Sequence, residues 1–402
     1  MYDSEPAIQV EAALHGDDHD LVGDDLGLYK QKIVLYRTSW ISPSTIYTVS
    51  RCFCSTENMK GKVVLITGAS SGIGEQLPFK YAKKEASLVI VARREKRLVG
   101  VAERARGLGS PDVLPVCADV SNVNDCKRFV DGAINHFGQC TCIYIIKFIV
   151  NHYLIYSITH RFIFRMEKIT LVNGLDLIQI GLFTVGHVVN NAGISCVCTT
   201  EDATDITKFT SMMDINFWGS IYTTHFAIPQ LKKTKGKTVV NSSAAALLNS
   251  PGLSLYSASK AALISYHETL RVELGSEITI TITTLGFIES EITQGKCLSK
   301  EGVIEVNTKL MRDTRSTDVI QAMPAMSCSA CAKVIVNGVC RGERNVTQPK
   351  WFKLLFMLRT LSPEVVEWYY RTFYFTNPTI SHQMLSANIS STSPAVTKTK
   401  AN

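Results

Sequence analysis

The run GKVVLITGASSGIG, residues 61 to 74, leaves this chain few folds to choose from. Val63 to Ile66 is short, β-branched, bounded by glycine and apolar at every position, so such a strand must be covered on both faces. Helical spacing begins as soon as the glycines end. A buried strand that passes through a glycine turn into a helix opens a β-α-β unit, and the alternation then repeats along the chain. SLVIVA reads as a strand, LVGVAERARGLG as a helix closed by glycine, DVLPVCADV as a strand and NDCKRFVDGAINHFG as a helix. HVVNNAG, KTVVNSS and ITITTLG continue the strands, and the helices MMDINFWGSIYTTHFAIPQL and YSASKAALISYHETLRVEL lie between them. The expected fold is α/β: a doubly wound parallel sheet of the Rossmann type, in three α/β/α layers with right-handed crossovers, as a single domain with one insertion.

Residues 1–58 show no sustained period and open acidic, which predicts a poorly ordered leader with no signal peptide or apolar anchor. Residues 59–345 form the predicted domain, and 346–402 an apolar helical segment with a disordered tail. Residues 140–186 are anomalous. They separate NHFGQ from HVVNNAG, where a helix-to-strand link of a few residues is expected. Their most apolar run, IYIIKFIVNHYLIY, is shorter than the roughly 20 residues of a membrane span and is interrupted by Lys147, Asn151 and His152. The segment is rich in Ile, Phe and Tyr, residues with AT-rich codons, and reads as a retained intron translated in frame.

The formal net charge of +7 is scattered, without a basic stripe interleaved with aromatics, so no nucleic-acid partner is expected. The 12 cysteines include a single C-x-x-C, Cys328 and Cys331, in a stretch of helical periodicity. Buried thiols in a reducing compartment fit this better than zinc, and no metal is expected.

Three motifs carry chemistry. In TGASSGIG, the residues Gly68, Ser70, Ser71, Gly72, Ile73 and Gly74 lie between strand and helix. Glycine there lets the backbone turn tightly and approach a pyrophosphate, which the free N–H groups of the helix N-terminus receive. In VIVARREK, the position where an acid would hold a ribose 2′-hydroxyl is Ala92, followed by Arg93. An arginine can fork onto a 2′-phosphate, so NADP(H) is expected over NAD(H). Arg94 reads as a solvated surface arginine. In YSASK, Tyr256 and Lys260 share one helix face, and Ser243 ends the preceding strand. A nearby ammonium lowers a phenol's pKa, and a serine hydroxyl can hold a carbonyl oxygen. Together they suit proton transfer beside a hydride-carrying nicotinamide.

With TGASSGIG, NNAG, Ser243 and YSASK in this order, the chain resembles the short-chain dehydrogenase/reductases from about Gly61 to Arg344, apart from the insertion. The resemblance implies Tyr256 as acid/base, Ser243 positioning the substrate oxygen and Lys260 lowering the tyrosine pKa and binding the nicotinamide ribose. It implies that Asn216 bends its helix and supports the proton relay. It places Asp119 and Val120 at the adenine, Asn190, Ala192 and Gly193 beside the cofactor, and Ile288 and Ser290 at the carboxamide. LVIVARREKRL, DINFWGSIYTTHFAIP, GFIESEITQGK and SPEVVEWYYR are similar to the plant 11-beta-hydroxysteroid dehydrogenase-like branch, the steroleosins. That branch implies NADP-linked oxidoreduction of a hydroxysteroid or sterol-like lipid by a homodimer. It also implies a cytoplasmic protein attached to lipid droplets or the endoplasmic reticulum membrane. The apolar segment WFKLLFMLRTLSPEVVEWYYRTFYF suits either contact with a lipid surface or core packing.

The chain departs from the pattern at Pro78 inside a helix, at Leu285 in place of a proline, at Asn241 in a strand that should be buried, and in its polar leader. Two other readings stand beside the main one: a non-catalytic lipid-surface protein that keeps the fold, and a reductase of another lipid carbonyl such as a fatty aldehyde or retinoid.

Overall fold

The computed structural model describes residues 56–153, 185–306 and 325–375, with side chains for 56–138, 185–306 and 325–372. Most of the leader (1–55), most of the anomalous segment (154–184) and the tail from 376 lie outside the described residues.

Strand β1 (Val63–Thr67) shows why its sequence is apolar throughout. Val64 and Ile66 enter one core, and Val63 and Leu65 the other. In β2 (Ser87–Ala92), Leu88, Ile90 and Ala92 face the first core, and Val89 and Val91 the second. The period of two thus distributes one apolar run over two faces, and each face needs its own layer of helices. The first layer holds α1 (Gly72–Ala82), α2 (Glu95–Gly107) and α7 (Cys328–Cys340), through residues such as Leu77, Leu98 and Ile335. The second holds α3 (Val123–Tyr153), α5 (Gly219–Thr234) and α6 (Ser254–Glu273), through Phe129, Leu231 and Leu270. Burial of each such side chain contributes about 1.5–3 kcal/mol.

The sheet runs β11-β6-β5-β4-β1-β2-β3 and is parallel throughout. Its other strands are β3 (Val113–Cys117), β4 (Val185–Asn190), β5 (Lys237–Ser243), β6 (Thr279–Leu285) and β11 (Asn345–Gln348). The expected doubly wound, three-layer α/β fold is what forms. The order reverses between β1 and β4, and ligands bind at the carboxyl ends of strands at such a switch. Short pairs follow β6: β7 (Ile288–Glu289) with β10 (Met326–Ser327), and β8 (Lys296–Leu298) with β9 (Ile304–Val306).

Two boundaries differ from the sequence reading. Glu57, assigned to the leader, is bound by Lys62, by Lys237 Nζ at 2.6 Å and by His187 Nε2 at 3.1 Å, so the fold already includes it. At the other end β11 extends the sheet to Gln348, past residue 345. Helices α8 (Phe352–Leu361) and α9 (Pro363–Phe375) follow. Phe352 is buried against Ala244 and Leu248, with Leu355 and Phe356 packed on that cluster. Leu354, Met357, Leu361, Val365 and Trp368 are exposed. Among the described residues no helix is long and apolar enough to cross a membrane.

Candidate active site

Six strands end at one cleft. Its glycine floor is dictated by contact. A Cβ on Gly74 would lie 2.1 Å from the Gly68 carbonyl oxygen, and one on Gly68 2.8 Å from the Ala192 Cα. Gly68 and Gly72 also hold φ of 68° and 58°, which other residues adopt only with strain. The cleft is lined by Gly68 and Ser70 to Gly74 from this loop, Arg93 after β2, and Asp119 and Val120 after β3. Ala192 and Gly193 line it after β4, with Ser243, Tyr256, Lys260, Ile288 and Ser290 opposite.

The expected reacting groups lie at one end. Ser243 Oγ accepts the Ala245 N–H at 3.2 Å, and its hydroxyl proton can go to the Leu285 carbonyl, at 3.3 Å, or to the Tyr256 oxygen beside it. Burial raises the Tyr256 pKa, and the Ser243 bond partly offsets this. Lys260 is 5% exposed. Its Nζ donates to the Asn241 carbonyl at 3.0 Å and stands 5.9 Å from the Tyr256 ring centre. Burial brings its pKa down to about 8, so it keeps its charge at neutral pH.

Asn216 lies behind this group, in a π-helical turn (Asp214–Trp218) between α4 (Thr210–Met213) and α5. Its Oδ1 accepts the Ile194 N–H at 2.8 Å, and its Nδ2 donates to the Ile194 carbonyl at 2.9 Å and to Ser259 Oγ at 3.0 Å. The π turn is the helix distortion expected there, and Asn216 ties it to the chain beyond β4. A Cβ on Gly193 would come within 3.2 Å of Asn216 Oδ1 and 3.3 Å of Lys260 Nζ, so only glycine leaves that space free.

Asn241 meets the demand its burial makes. Nδ2 donates to Asn191 Oδ1 at 2.8 Å, and Oδ1 accepts from Thr283 Oγ1 at 2.8 Å. Leu285 completes β6 in register with Ser243 and Gln348, and its carbonyl receives Ser243.

Two placements differ from the reading of the sequence. Asn190 turns away from the cleft: its Nδ2 donates to Thr224 Oγ1 on α5 at 2.8 Å, and its Oδ1 has no partner among the described residues. Asn191 takes the cleft position, with Nδ2 donating to the Thr67 carbonyl at 3.1 Å. The cause is strand alternation, which sends consecutive residues to opposite faces. Arg94 is likewise no free surface arginine. Its Nε donates to Ser70 Oγ at 3.1 Å, its Nη2 to Ser71 Oγ at 2.5 Å, and its Nη1 to both Glu291 oxygens at 3.0 Å. Arg93 is more exposed and reaches Asp119 Oδ2 at 3.5 Å. Glu291 and Lys296 line the cleft too and were not anticipated; the charge run ESEITQGK was their one visible signal.

An extended phosphate-bearing dinucleotide fits these surroundings. The floor admits backbone only, hydroxyls and cations stand at one end, and a tyrosine with a buried ammonium stands at the other. Among the described residues no group of three or more His, Cys, Asp or Glu could hold a metal, and the cysteines are free.

The family description "short chain dehydrogenase" matches residues 62–145 and 171–324. The 11-beta-hydroxysteroid dehydrogenase 1A of Arabidopsis thaliana is 46% identical over 326 residues, which are 81% of this chain and 79% of that protein. The 11-beta-hydroxysteroid dehydrogenase A of Arachis hypogaea is 44% identical over 323 residues, 80% of this chain and 78% of that one. A short chain dehydrogenase from Burkholderia cenocepacia solved with NADP superposes with a TM-score of 0.53 at 17% identity, over 78% of this chain and 98% of that one. A short chain dehydrogenase/reductase from Burkholderia phymatum solved with NAD gives 0.57 at 19% identity, over 77% and 96%. These two likenesses establish the fold alone.

Proposed function

The chain belongs to the short-chain dehydrogenase family, as a relative of plant 11-beta-hydroxysteroid dehydrogenases, and from that premise we propose that it interconverts a hydroxyl and a ketone on a steroid- or sterol-like lipid with NADP(H). It is a short-chain oxidoreductase acting on CH–OH groups. The observation that carries the finer reading is the meeting of Ser243, Tyr256 and Lys260 at one end of a cleft whose other end gathers Ser70, Ser71 and Arg94.

The bound nicotinamide would supply or accept the hydride. This chain's own residues do the rest. In the reductive direction the Tyr256 hydroxyl donates its proton to the substrate oxygen while Ser243 Oγ holds that oxygen by a hydrogen bond. In the oxidative direction Tyr256 takes the proton back. The Lys260 ammonium stabilises the phenolate through its field, and its anchor on the Asn241 carbonyl keeps it there. The preference for the phosphorylated cofactor is supported by Ala92 at the end of β2, where an acid would hold the ribose 2′-hydroxyl, and by Arg94 on Ser70 and Ser71.

The substrate class is supported by the names of the relatives and by the apolar side chains around Tyr256: Ile194, Leu255 and Leu298. The exposed residues of α8 and α9, with Lys353 among them, suit peripheral contact with a lipid surface from which such a substrate would come. A homodimer is part of the same reading. Purified protein is expected to turn over at least one steroid alcohol/ketone pair with NADP(H) faster than with NAD(H). Failure across a broad steroid and sterol panel, with turnover of fatty aldehydes or retinoids, would redirect the substrate but keep the chemistry.

A further inference from the structure

Glu291 lies in the cleft with three cations on its carboxylate. It lies on the turn after β7, and its carboxylate receives Arg94 Nη1 on both oxygens at 3.0 Å, Arg97 Nη1 at 2.6 Å and Lys296 Nζ at 2.9 Å. Burial raises its pKa, but the bonds to Arg94, Lys296 and Arg97 outweigh this and hold it at about 2, so the carboxylate is charged at neutral pH. Three cations converge on one carboxylate, so two positive charges go unmatched within the cluster. Arg94 also holds both loop serines, and its remaining N–H groups are few.

We propose that Glu291 tunes cofactor specificity as an internal counter-anion: it occupies Arg94 Nη1, which a ribose 2′-phosphate would take, and Arg94 exchanges carboxylate for phosphate as the cofactor loads. The proposal rests on the NADP(H) reading given above. The exchange is favourable because a phosphate brings more charge and three acceptor oxygens to a site with surplus positive charge. The displaced carboxylate keeps Arg97 and Lys296, so it is not left unpaired. A cofactor with a free 2′-hydroxyl offers no charge to repay the broken Arg94–Glu291 pair, and Glu291 therefore stays in place against it.

The same carboxylate reaches the other end of the cleft through the chain. Besides the side-chain bond, the Lys296 N–H donates to the Glu291 carbonyl at 2.9 Å, which closes a tight turn. Lys296 leads directly into Cys297 and Leu298, which line the cleft, and Leu298 packs in the cluster that holds Tyr256.

The test uses the full-length protein with 2′,5′-ADP and 5′-AMP as probes, titrated by calorimetry. Wild type is expected to bind 2′,5′-ADP more tightly. Glu291→Gln is expected to widen that preference about fivefold or more, the scale of one charge at a half-buried site, with 5′-AMP affinity moving less than about twofold. Glu291→Asp, which keeps the charge, is expected to stay near wild type. A Glu291→Gln protein with unchanged or reduced preference, or with both probes shifted alike, overturns the proposal while leaving the cofactor reading intact. Absence of any preference in wild type removes the cofactor reading and the proposal with it. A structure of wild type with 2′,5′-ADP decides the matter without a variant. Arg94 on the phosphate and out of reach of Glu291 supports the exchange, and retention of both Arg94–Glu291 bonds refutes it.

Discussion

Tyr256 can serve as an acid only while it holds its proton, and the site is arranged so that it does. Burial raises its pKa above the ordinary phenol value, and Lys260, at about 8, is charged at neutral pH. The enzyme is therefore expected to reduce carbonyls well at neutral pH. The rate should fall as pH passes about 8, because loss of the Lys260 charge removes the field that stabilises the phenolate formed by proton donation. A reductive rate that keeps rising beyond that pH would contradict the assignment. Tyr256→Phe removes the proton and should cut kcat by about 10²- to 10⁴-fold, with 2′,5′-ADP binding unchanged. Full activity in that variant would end the proposed role. These residues were legible because their signal is spacing along one helix and at the end of one strand. Asn191 and Arg94 were not. Asn191 is one residue from the position expected, and strand alternation turns Asn190 away from the cleft, whereas Arg94, read as a surface residue, lines the cleft together with Arg93 through its bonds to Ser70, Ser71 and Glu291.

At the scale of the element, α1 is the least comfortable part of the cofactor site. Pro78 lies buried in its interior, where a proline lacks the N–H that would reach the Gly74 carbonyl and crowds the preceding turn. The helix nevertheless runs from Gly72 to Ala82, because Leu77, Tyr81 and Ala82 bury it against the first core. An interior proline costs about 3 kcal/mol relative to alanine, and the lost ring carbons return about 1–2 kcal/mol. Pro78→Ala is therefore expected to stabilise the protein by about 1–2 kcal/mol, read as a rise of roughly 2–4 °C in melting temperature. A fall would mean that the ring's packing outweighs the helix strain. The strands were readable from composition alone, since a run apolar on both faces has few other uses. The π turn at Asn216 was not, because MDINFWGS has no local breaker. Its existence follows from the bonds Asn216 makes to Ile194 and Ser259, far away in sequence.

At the scale of the whole molecule, the N-terminal end of the sheet is closed by a buried charge cluster that no local pattern announces. His187 is fully buried, with Nε2 on Glu57 at 3.1 Å and Nδ1 beside Tyr81 Oη at 3.3 Å. Burial lowers the His187 pKa, with Glu57 partly opposing. Glu57 is itself held well below the carboxylate range, because its bonds to His187, Lys237 and Lys62 outweigh its burial. His267, buried on α6, is pushed down to about 4, chiefly by burial. All three groups bind fewer protons folded than unfolded, so stability rises with pH and is lost on acidification. The His267 share should be lost between about pH 6.5 and 4, on the order of 3 kcal/mol, and that of Glu57 below about 4.5. Melting temperatures across pH 7.5 to 4 should fall accordingly, and less steeply in His267→Gln; an equal slope in the variant would remove His267 from the account. The anomalous segment poses the larger test. The family match breaks off at 145 and resumes at 171, within 140–186. The β1–β4 ladder is irregular only at its start, where Val63 pairs with Val185 and Val64 with His187, skipping Gly186. From His187 onward β4 pairs regularly with both neighbours. Among the described side chains, α3 reaches the core through Phe129, Val130, Ala133 and Phe137, and the end of the cleft that holds Ser243 and Tyr256 is built from residues beyond 190. Nothing described in the site needs residues 140–184, so we expect a chain joining Gln139 to Val185, which keeps β4 whole, to fold, to bind 2′,5′-ADP as the full chain does and to melt at the same temperature or higher. A spliced transcript with that junction is expected as well. A shortened protein that fails to fold, together with transcripts that always keep the segment, would make it an integral part of the enzyme.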